Sequence, residues 1–399
     1  MKNIFDFLII GGGIFGITTA VELAKRKHRV GLINPDSIPH HLAASTDISK
    51  VVRMEYGTDT EYFQMAETSI ERWHAWNTFF GEKLYHEVGY VLLCKHALEH
   101  ESQIYERNSL ETLEEFGYQI DRLSKNSIQK RFPAINSEVY PDGNFNPKGG
   151  YVESGLVVEK LTHYARTLGV DIHENQTAKE FVIEKGVLQA VKTKEGEVFK
   201  CGNAIVAAGA NTPYLVPELK PYMKATGHPV FWLKPHDPTL FCTPNFVVFT
   251  ADISNSGWYG FPFSPKHGVV KIAKHTIGLE LNPDDDDRLI TSSDISDMRT
   301  FLSSAFPALA NAPLVYTRRC LYTDTLDGHF WIDQHPEIKG LSVSSGGSGH
   351  GFKMGPVIGE MTADMAEGKE HVFSKRYRWR HLDIETKQCE EARHLGASF

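Results

Sequence analysis

Three groups of residues in this chain are typed and spaced for chemistry. The first is Gly11-Gly12-Gly13-Ile14-Phe15-Gly16, which directly follows the apolar run Ile4–Ile10. Gly11 permits a tight turn, Gly13 lets the backbone approach a pyrophosphate, and Gly16 lets a following helix pack close to the strand. The start of that helix presents free N–H groups and a positive dipole end to an anion. The second group lies in Gly268-Val269-Val270-Lys271-Ile272-Ala273-Lys274-His275. Alternation along a strand puts Lys271 and His275 on one face with Ala273 between them, aiming two polar side chains into one cavity. The third is Cys320, in Arg318-Arg319-Cys320-Leu321-Tyr322-Thr323-Asp324-Thr325. The two arginines favour the thiolate, the form in which cysteine is a nucleophile. A Gly-rich turn ending in a lysine, Ser348-Gly349-His350-Gly351-Phe352-Lys353, comes soon after.

The elements around these groups form a recognisable frame. Strand Ile4–Ile10, helix Ile17–Arg26 and strand Val30–Ile33 make a βαβ unit around the glycines, which reads as dinucleotide binding. The acidic residue expected to hold a ribose is replaced by Asn34, with Asp36 just beyond; Asn34 can still accept a hydrogen bond from a ribose hydroxyl. A second apolar strand ends at Gly209, and a third, Leu341–Gly347, leads into a helix over Pro356–Ala366. Val230–Leu233, Phe246–Phe249, Gly257–Phe261 and Val269–Ile272 read as strands of an antiparallel sheet. The expected class is α/β: a Rossmann-like parallel-sheet domain from residues 1–80, 141–215 and 316–385, beside a substrate domain of antiparallel sheet and helices from 81–140 and 216–315.

Composition narrows the function. A chain of 399 residues has room for two lobes, and a net charge of -8 argues against a general nucleic-acid binder. Cys94, Cys201, Cys242, Cys320 and Cys389 are scattered without a CxxC pair, which argues against a disulfide framework and a zinc site and fits a reducing compartment. The first apolar run is too short and interrupted for a signal peptide or membrane span, so a cytoplasmic protein is expected. His40 and His41 have no partner at ligand spacing, and no metal site is expected. Lys375, Arg376, Arg378 and Arg380 read as a solvated basic face, and Asp284-Asp285-Asp286-Asp287 as a solvated loop. Trp258 and Tyr259 sit at strand spacing, where aromatics are more often core than pocket.

With Cys320 through His329-Phe330-Trp331-Ile332-Asp333-Gln334-His335-Pro336 to Lys353, the chain resembles the monomeric sarcosine oxidase and amadoriase family of FAD-dependent amine oxidases, over nearly its whole length. The resemblance implies FAD bound covalently through Cys320. It implies a lysine that activates oxygen at Lys271, an active-site histidine at His275, and Tyr322 in the catalytic set. In Ser45-Thr46-Asp47-Ile48-Ser49-Lys50-Val51-Val52-Arg53-Met54-Glu55-Tyr56-Gly57, the family's substrate-carboxylate arginine falls on Arg53. The sarcosine oxidases' arginine over the flavin falls on Lys50, and Thr46 stands near their histidine. Asp47-Ile48-Ser49-Lys50 looks more like the amadoriase version, so larger N-substituents than methyl are expected. Lys353 maps onto the second carboxylate-binding residue and also borders the cofactor. Tyr259 and Thr46 would line the substrate pocket. Ser45, Gly209, Gly346, Gly347 and Gly349 would join Gly11, Gly13, Gly16 and Asn34 at the cofactor.

The activity implied is oxidation of a secondary amine on an N-substituted or cyclic amino acid. Hydride passes to the flavin, the imine hydrolyses, and O2 becomes H2O2. The expected partners are a small amino-acid substrate and O2, with a monomer and neither nucleic acid nor membrane. The alternatives are a flavin dehydrogenase with another acceptor and a non-catalytic flavin- or NAD-binding module.

Overall fold

The computed structural model describes residues 4–284, 287–383 and 391–393. Ile4–Ile10 lies at the centre of an eight-stranded sheet, parallel to Val30–Asn34 on one side and Val198–Val206 on the other. Asp171–Glu174 and Leu341–Ser345 extend the parallel set outward. Val30–Asn34 is buried along its whole length, as a strand covered on both faces should be. Ala178–Glu184, Val187–Thr193 and Trp331–Gln334 add antiparallel pairings.

The first helix is Ile14–Lys25, beginning at Ile14 rather than Ile17 because Gly13 already serves as its N-cap. A Cβ on Gly16 would stand 1.9 Å from the Gly11 carbonyl oxygen, so only glycine lets the helix rest on the turn. Helix Gly355–Ala366 lies against it, with Gly359 facing Thr18. A long helix, Thr60–Phe80, is an element absent from the sequence reading above. Its marks were available: Asp59 caps the N-terminus, Gly81 ends it in left-handed backbone, and Tyr62, Phe63, Ala66, Ile70 and Trp73 form its buried stripe.

The second large sheet is built around Met223–Leu233, which pairs with Val270–Lys274 on one side and Leu314–Thr325 on the other, both antiparallel. The pairing sets Trp232 opposite Lys271, Val230 opposite Ala273 and His228 opposite Cys320. Sheet pairing therefore groups Leu314–Thr325 with the substrate-side sheet, although the range expected for the cofactor domain starts at residue 316. Asp142–Asn146 pairs likewise with Tyr90–Cys94. One pair in this sheet is parallel, Val248–Ala251 with Tyr90–Cys94, and that strand begins at Val248 rather than Phe246. Helix Ser292–Ala305 closes the outer face, where Trp258 stacks on Phe301 with ring centroids 4.6 Å apart. A separate three-stranded sheet, Lys50–Val52 with Gly150–Val152 and Tyr85–His86, carries Lys50.

The late basic run is not simply a solvated face. Arg376 pairs with Asp59 at 2.6 Å, at the start of the long helix. Arg380 pairs with Asp327 at 2.7 Å and lies over the Trp331 ring. These partners are remote in sequence, so local composition could not reveal them. Asp284 lies at the mouth of the cavity described below, while Asp285, Asp286 and Cys389 lie outside the described residues. Cys94, Cys201, Cys242 and Cys320 are free thiols. No helix among the described residues is long and apolar enough to cross a membrane.

Candidate active site

A cavity of about 490 Å³ runs from the glycine turns to the second sheet, within the usual ligand-site range of roughly 300–1,000 Å³. At one end it is lined by Gly11, Gly13, Asn34 and Ser45. Gly11 has φ +110°, and a Cβ there would meet the Ala207 carbonyl oxygen at 2.4 Å. Ser45 Oγ accepts the Ile14 N–H at 2.9 Å, at the start of the first helix. Asn34 has a structural role besides the ribose contact expected of it. Its Oδ1 accepts the Gly12 N–H at 2.9 Å and its Nδ2 donates to the Asp36 carbonyl at 2.8 Å. The amide holds the glycine turn from the cavity wall.

Gly209, Gly346, Gly347 and Gly349 line the middle of the cavity. Gly349 has φ +80°, and its missing side chain makes room for the Tyr322 ring, 2.3 Å from where a Cβ would stand. Thr46, Lys50, Arg53 and Lys353 line the cavity as well, with Tyr259, His275 and Tyr322. Burial pushes the phenols of Tyr259 and Tyr322 up, so both stay protonated. Tyr322 stacks on His228 with centroids 3.8 Å apart. Strand alternation separates Trp258, which is core, from Tyr259, which lines the cavity.

Arg53 and Lys353 converge on one residue that sequence reasoning passed over. The Arg53 guanidinium carbon lies 4.8 Å from the Tyr56 ring centroid and Lys353 Nζ lies 5.1 Å from it. Lys353 Nζ also donates to Tyr56 Oη at 2.8 Å and to the His350 carbonyl at 3.2 Å. Glu55, buried near Arg53, has its carboxyl pushed up by burial, with Asn146 and Arg53 opposing. Tyr56 was in the segment quoted above, but a tyrosine there carries no signal of its own.

Of the expected residues, Gly16, Lys271 and Cys320 do not line the cavity. Lys271 does not share the cavity with His275 as strand alternation suggested. The strand ends at Lys274, and the His275 backbone N–H still bonds in register to the Gly257 carbonyl at 2.7 Å, so the two side chains differ in their partners rather than in their face. Lys271 Nζ instead donates to the Ser49 carbonyl at 2.6 Å and makes an ion pair with Asp47 Oδ2 at 2.7 Å. Asp47 is the second residue missed. Its carboxylate also lies 3.8 Å from Lys50 and 3.5 Å from Arg318. Burial works to raise the Asp47 carboxyl, but Lys271, Lys50 and Arg318 outweigh it and hold it at about 2. Burial pushes the Lys271 ammonium down, Asp47 pulls it back, and Lys50 and Arg318 oppose it, leaving it at about 8.

Cys320 is buried beside Val230, Ala273 and Tyr322, while its neighbours Leu321, Tyr322 and Thr323 line the cavity. The two arginines before it do not act together. Arg318 shares its strand face and donates to the His41 and Thr46 carbonyls. Arg319 points the other way and is engaged by Asp294 at 2.5 Å. His40 and His41, expected to lack a partner, meet Asp36, and the potential ligand atoms of the three lie within 4.8 Å of one another. His41 is exposed, and the cluster by itself assigns no function.

The profile of the family described as FAD dependent oxidoreductase matches residues 6–365. This chain belongs to that family. The FAD-dependent oxidoreductase is similar to the monomeric sarcosine oxidase of Bacillus sp. (strain B-0618), 27% identical over 384 residues that cover 94% of this chain and 95% of that enzyme. It is also similar to the L-saccharopine oxidase of Schizosaccharomyces pombe, 28% identical over 414 residues that cover 94% and 93%. Its fold matches the crystal structure of fructosyl amine: oxygen oxidoreductase (Amadoriase I) from Aspergillus fumigatus, with a TM-score of 0.82, 22% identity, and 99% of this chain and 94% of that one covered.

The residues present fit FAD. The Gly11 turn leaves bare backbone where a side chain would collide, and a helix N-terminus opens beside it. The bracing role of Asn34 can be tested directly. Asn34→Ala leaves the buried Gly12 N–H without its acceptor, which costs about 1–3 kcal/mol. The holoenzyme's thermal midpoint and its flavin content per chain should both fall. If both stay at wild-type values, Asn34 does not brace the turn.

Proposed function

We propose that this FAD-dependent oxidoreductase oxidises a secondary amine on an amino acid whose carboxylate is held by Arg53 and Lys353, with O2 as the final electron acceptor. When bound, FAD supplies the acceptor for the two electrons of the C–H bond next to nitrogen, which pass on with two protons to O2 as H2O2, while water hydrolyses the imine. The observation that carries this reading is that Arg53 and Lys353 both line the cavity and gather on one buried residue, Tyr56. Arginine offers a planar fork to a carboxylate, and lysine adds a point charge.

The chain's other residues suit the same reaction. Tyr259 and Tyr322 are held as neutral phenols, and neither is a base at neutral pH. The amine would bind neutral, helped by desolvation and by Lys50 and Arg53 nearby. Orientation of the C–H bond then does much of the catalytic work. Thr46 is small, and Lys50 is narrower than an arginine, which supports a substituent larger than methyl. L-saccharopine oxidase and Amadoriase I are named for such substrates. The Lys271 ammonium would stabilise negative charge as oxygen is reduced. The free thiols fit a reducing, cytoplasmic setting, and the naming of monomeric sarcosine oxidase supports a monomer.

A second reading rests on the burial of Lys271 against Asp47, away from the cavity wall: a dehydrogenase that passes its electrons to an acceptor other than O2. Peroxide formed per turnover separates the two.

The proposal also places the FAD on Cys320 covalently. Cys320 sits on the strand whose next three residues line the cavity, and Arg318 shares its face. Acid-precipitated wild-type protein should stay yellow, and Cys320→Ser should release its colour. A colourless wild-type precipitate would contradict the bond.

The substrate class is tested by an anaerobic absorbance screen. N-substituted amino acids with bulky or cyclic substituents should bleach the protein faster than sarcosine, and decarboxylated analogues should not bleach it. Arg53→Ala should weaken the carboxylated substrates by about 2–5 kcal/mol, the usual cost of removing one partner from a buried charge pair. Equal rates for an amine and its carboxylated analogue would sink the assignment.

A further inference from the structure

We propose that Asp47 is a positioning residue that keeps Lys271 charged and in place, and so governs the oxygen half of the reaction; this rests on the amine-oxidase reading above. Lys271 comes from the middle of the second sheet, Lys50 from the small three-stranded sheet, and Arg318 from the long strand that carries Cys320. All three cations point at one carboxylate. The Lys271 and Asp47 side chains are each only 1% exposed, so water screens the pair very little.

Asp47 is itself held firmly. Its Oδ1 accepts the Ile48 N–H at 2.7 Å. Its carbonyl accepts the Gly155 N–H and the Ser154 hydroxyl, both at 2.9 Å, from the start of helix Ser154–Thr167. Asp47 is therefore held by contacts that do not involve the lysine. Apart from Asp47, Lys271 Nζ meets the Ser49 carbonyl and the face of the Phe261 ring at 4.6 Å. Neither carries a full negative charge.

The consequence has a definite sign. With Asp47 present, Lys271 is an ammonium at neutral pH and loses its proton as pH rises through about 8. Without the carboxylate, burial and the two neighbouring cations would drive the proton off at lower pH. A neutral amine offers no positive charge where oxygen becomes an anion. Asp47→Asn keeps the shape and removes the charge, and Asp47→Glu keeps the charge.

The two half-reactions are timed separately by stopped flow across pH, with thermal midpoint and flavin content as controls for folding. In wild type the reoxidation rate should fall as pH rises through about 8. In Asp47→Asn that fall should move to lower pH by a unit or more. Reoxidation at neutral pH should drop tenfold to hundredfold, by more than amine oxidation drops, and recover on acidification. Asp47→Glu should restore much of it. A second readout needs no turnover. Lysine carrying carbon-13 at Cε is incorporated, the Lys271 signal is assigned by its loss in Lys271→Met, and its titration is followed by NMR. It should move to lower pH in Asp47→Asn. An unmoved titration, or faster reoxidation at neutral pH, overturns the proposal; the latter would mean that Asp47 masks the charge instead of maintaining it. If no N-substituted amino acid bleaches the protein, the amine-oxidase reading falls and the lysine titration alone decides the Asp47–Lys271 coupling.

Discussion

The buried carboxylate of Asp47 is the interaction on which the site's geometry depends. Four charged groups meet at one point: Asp47 and Lys50, close in sequence, and Lys271 and Arg318 from far along the chain. Buried charges are costly unless they are paired, and removing one partner leaves the others uncompensated. The cluster therefore constrains three elements at once. The loop after the first βαβ unit, the small sheet and the second large sheet must stand in a fixed relation for the charges to balance. The cavity lies against this junction, so the residues that line it inherit the same fixed spacing.

The cations of the site fall into two sets with different partners. Arg53 and Lys353 gather on Tyr56 beside the cavity, where a carboxylate could bridge them. Lys271 and Arg318 are turned to Asp47 and are nearly closed to solvent. Lys50 belongs to both, since it lines the cavity and faces Asp47. This division fits the proposed reaction, in which an anionic substrate and a developing oxygen anion are handled beside one cofactor at different times. It also sets the substrate clamp apart from the group proposed to help oxygen, so the two can be altered one at a time.

Much of the frame was legible in the residues. The glycines after Ile4–Ile10 marked the cofactor turn because tight backbone approach leaves few alternatives to glycine. The strands Val230–Leu233 and Val269–Ile272 showed in their apolar runs. What the sequence withheld was pairing across long separations. Cys320 was placed with the cofactor domain, yet its strand bonds to Met223–Leu233. Alternation aims Lys271 at the cavity, but it gives a face and not a partner, and Asp47 lies far earlier in the chain. Asp47 stood in plain view in Asp47-Ile48-Ser49-Lys50, with nothing local to say that its carboxylate would be buried. Tyr56 was missed for a similar reason: its use lies in the two cations that the fold brings to its ring. Asn34 is legible at the end of its strand, but the bond its Oδ1 accepts from the Gly12 N–H is a contact that needs the turn's actual shape.

Lys271 is proposed to serve oxygen and not the amine. Stopped-flow measurement of both half-reactions in Lys271→Met, which keeps most of the volume and removes the charge, tests it most directly. Anaerobic bleaching by substrate should stay near the wild-type rate, while the return of colour in air should slow on the order of a hundredfold or more. Unchanged reoxidation with collapsed bleaching would make Lys271 a substrate ligand and contradict the account.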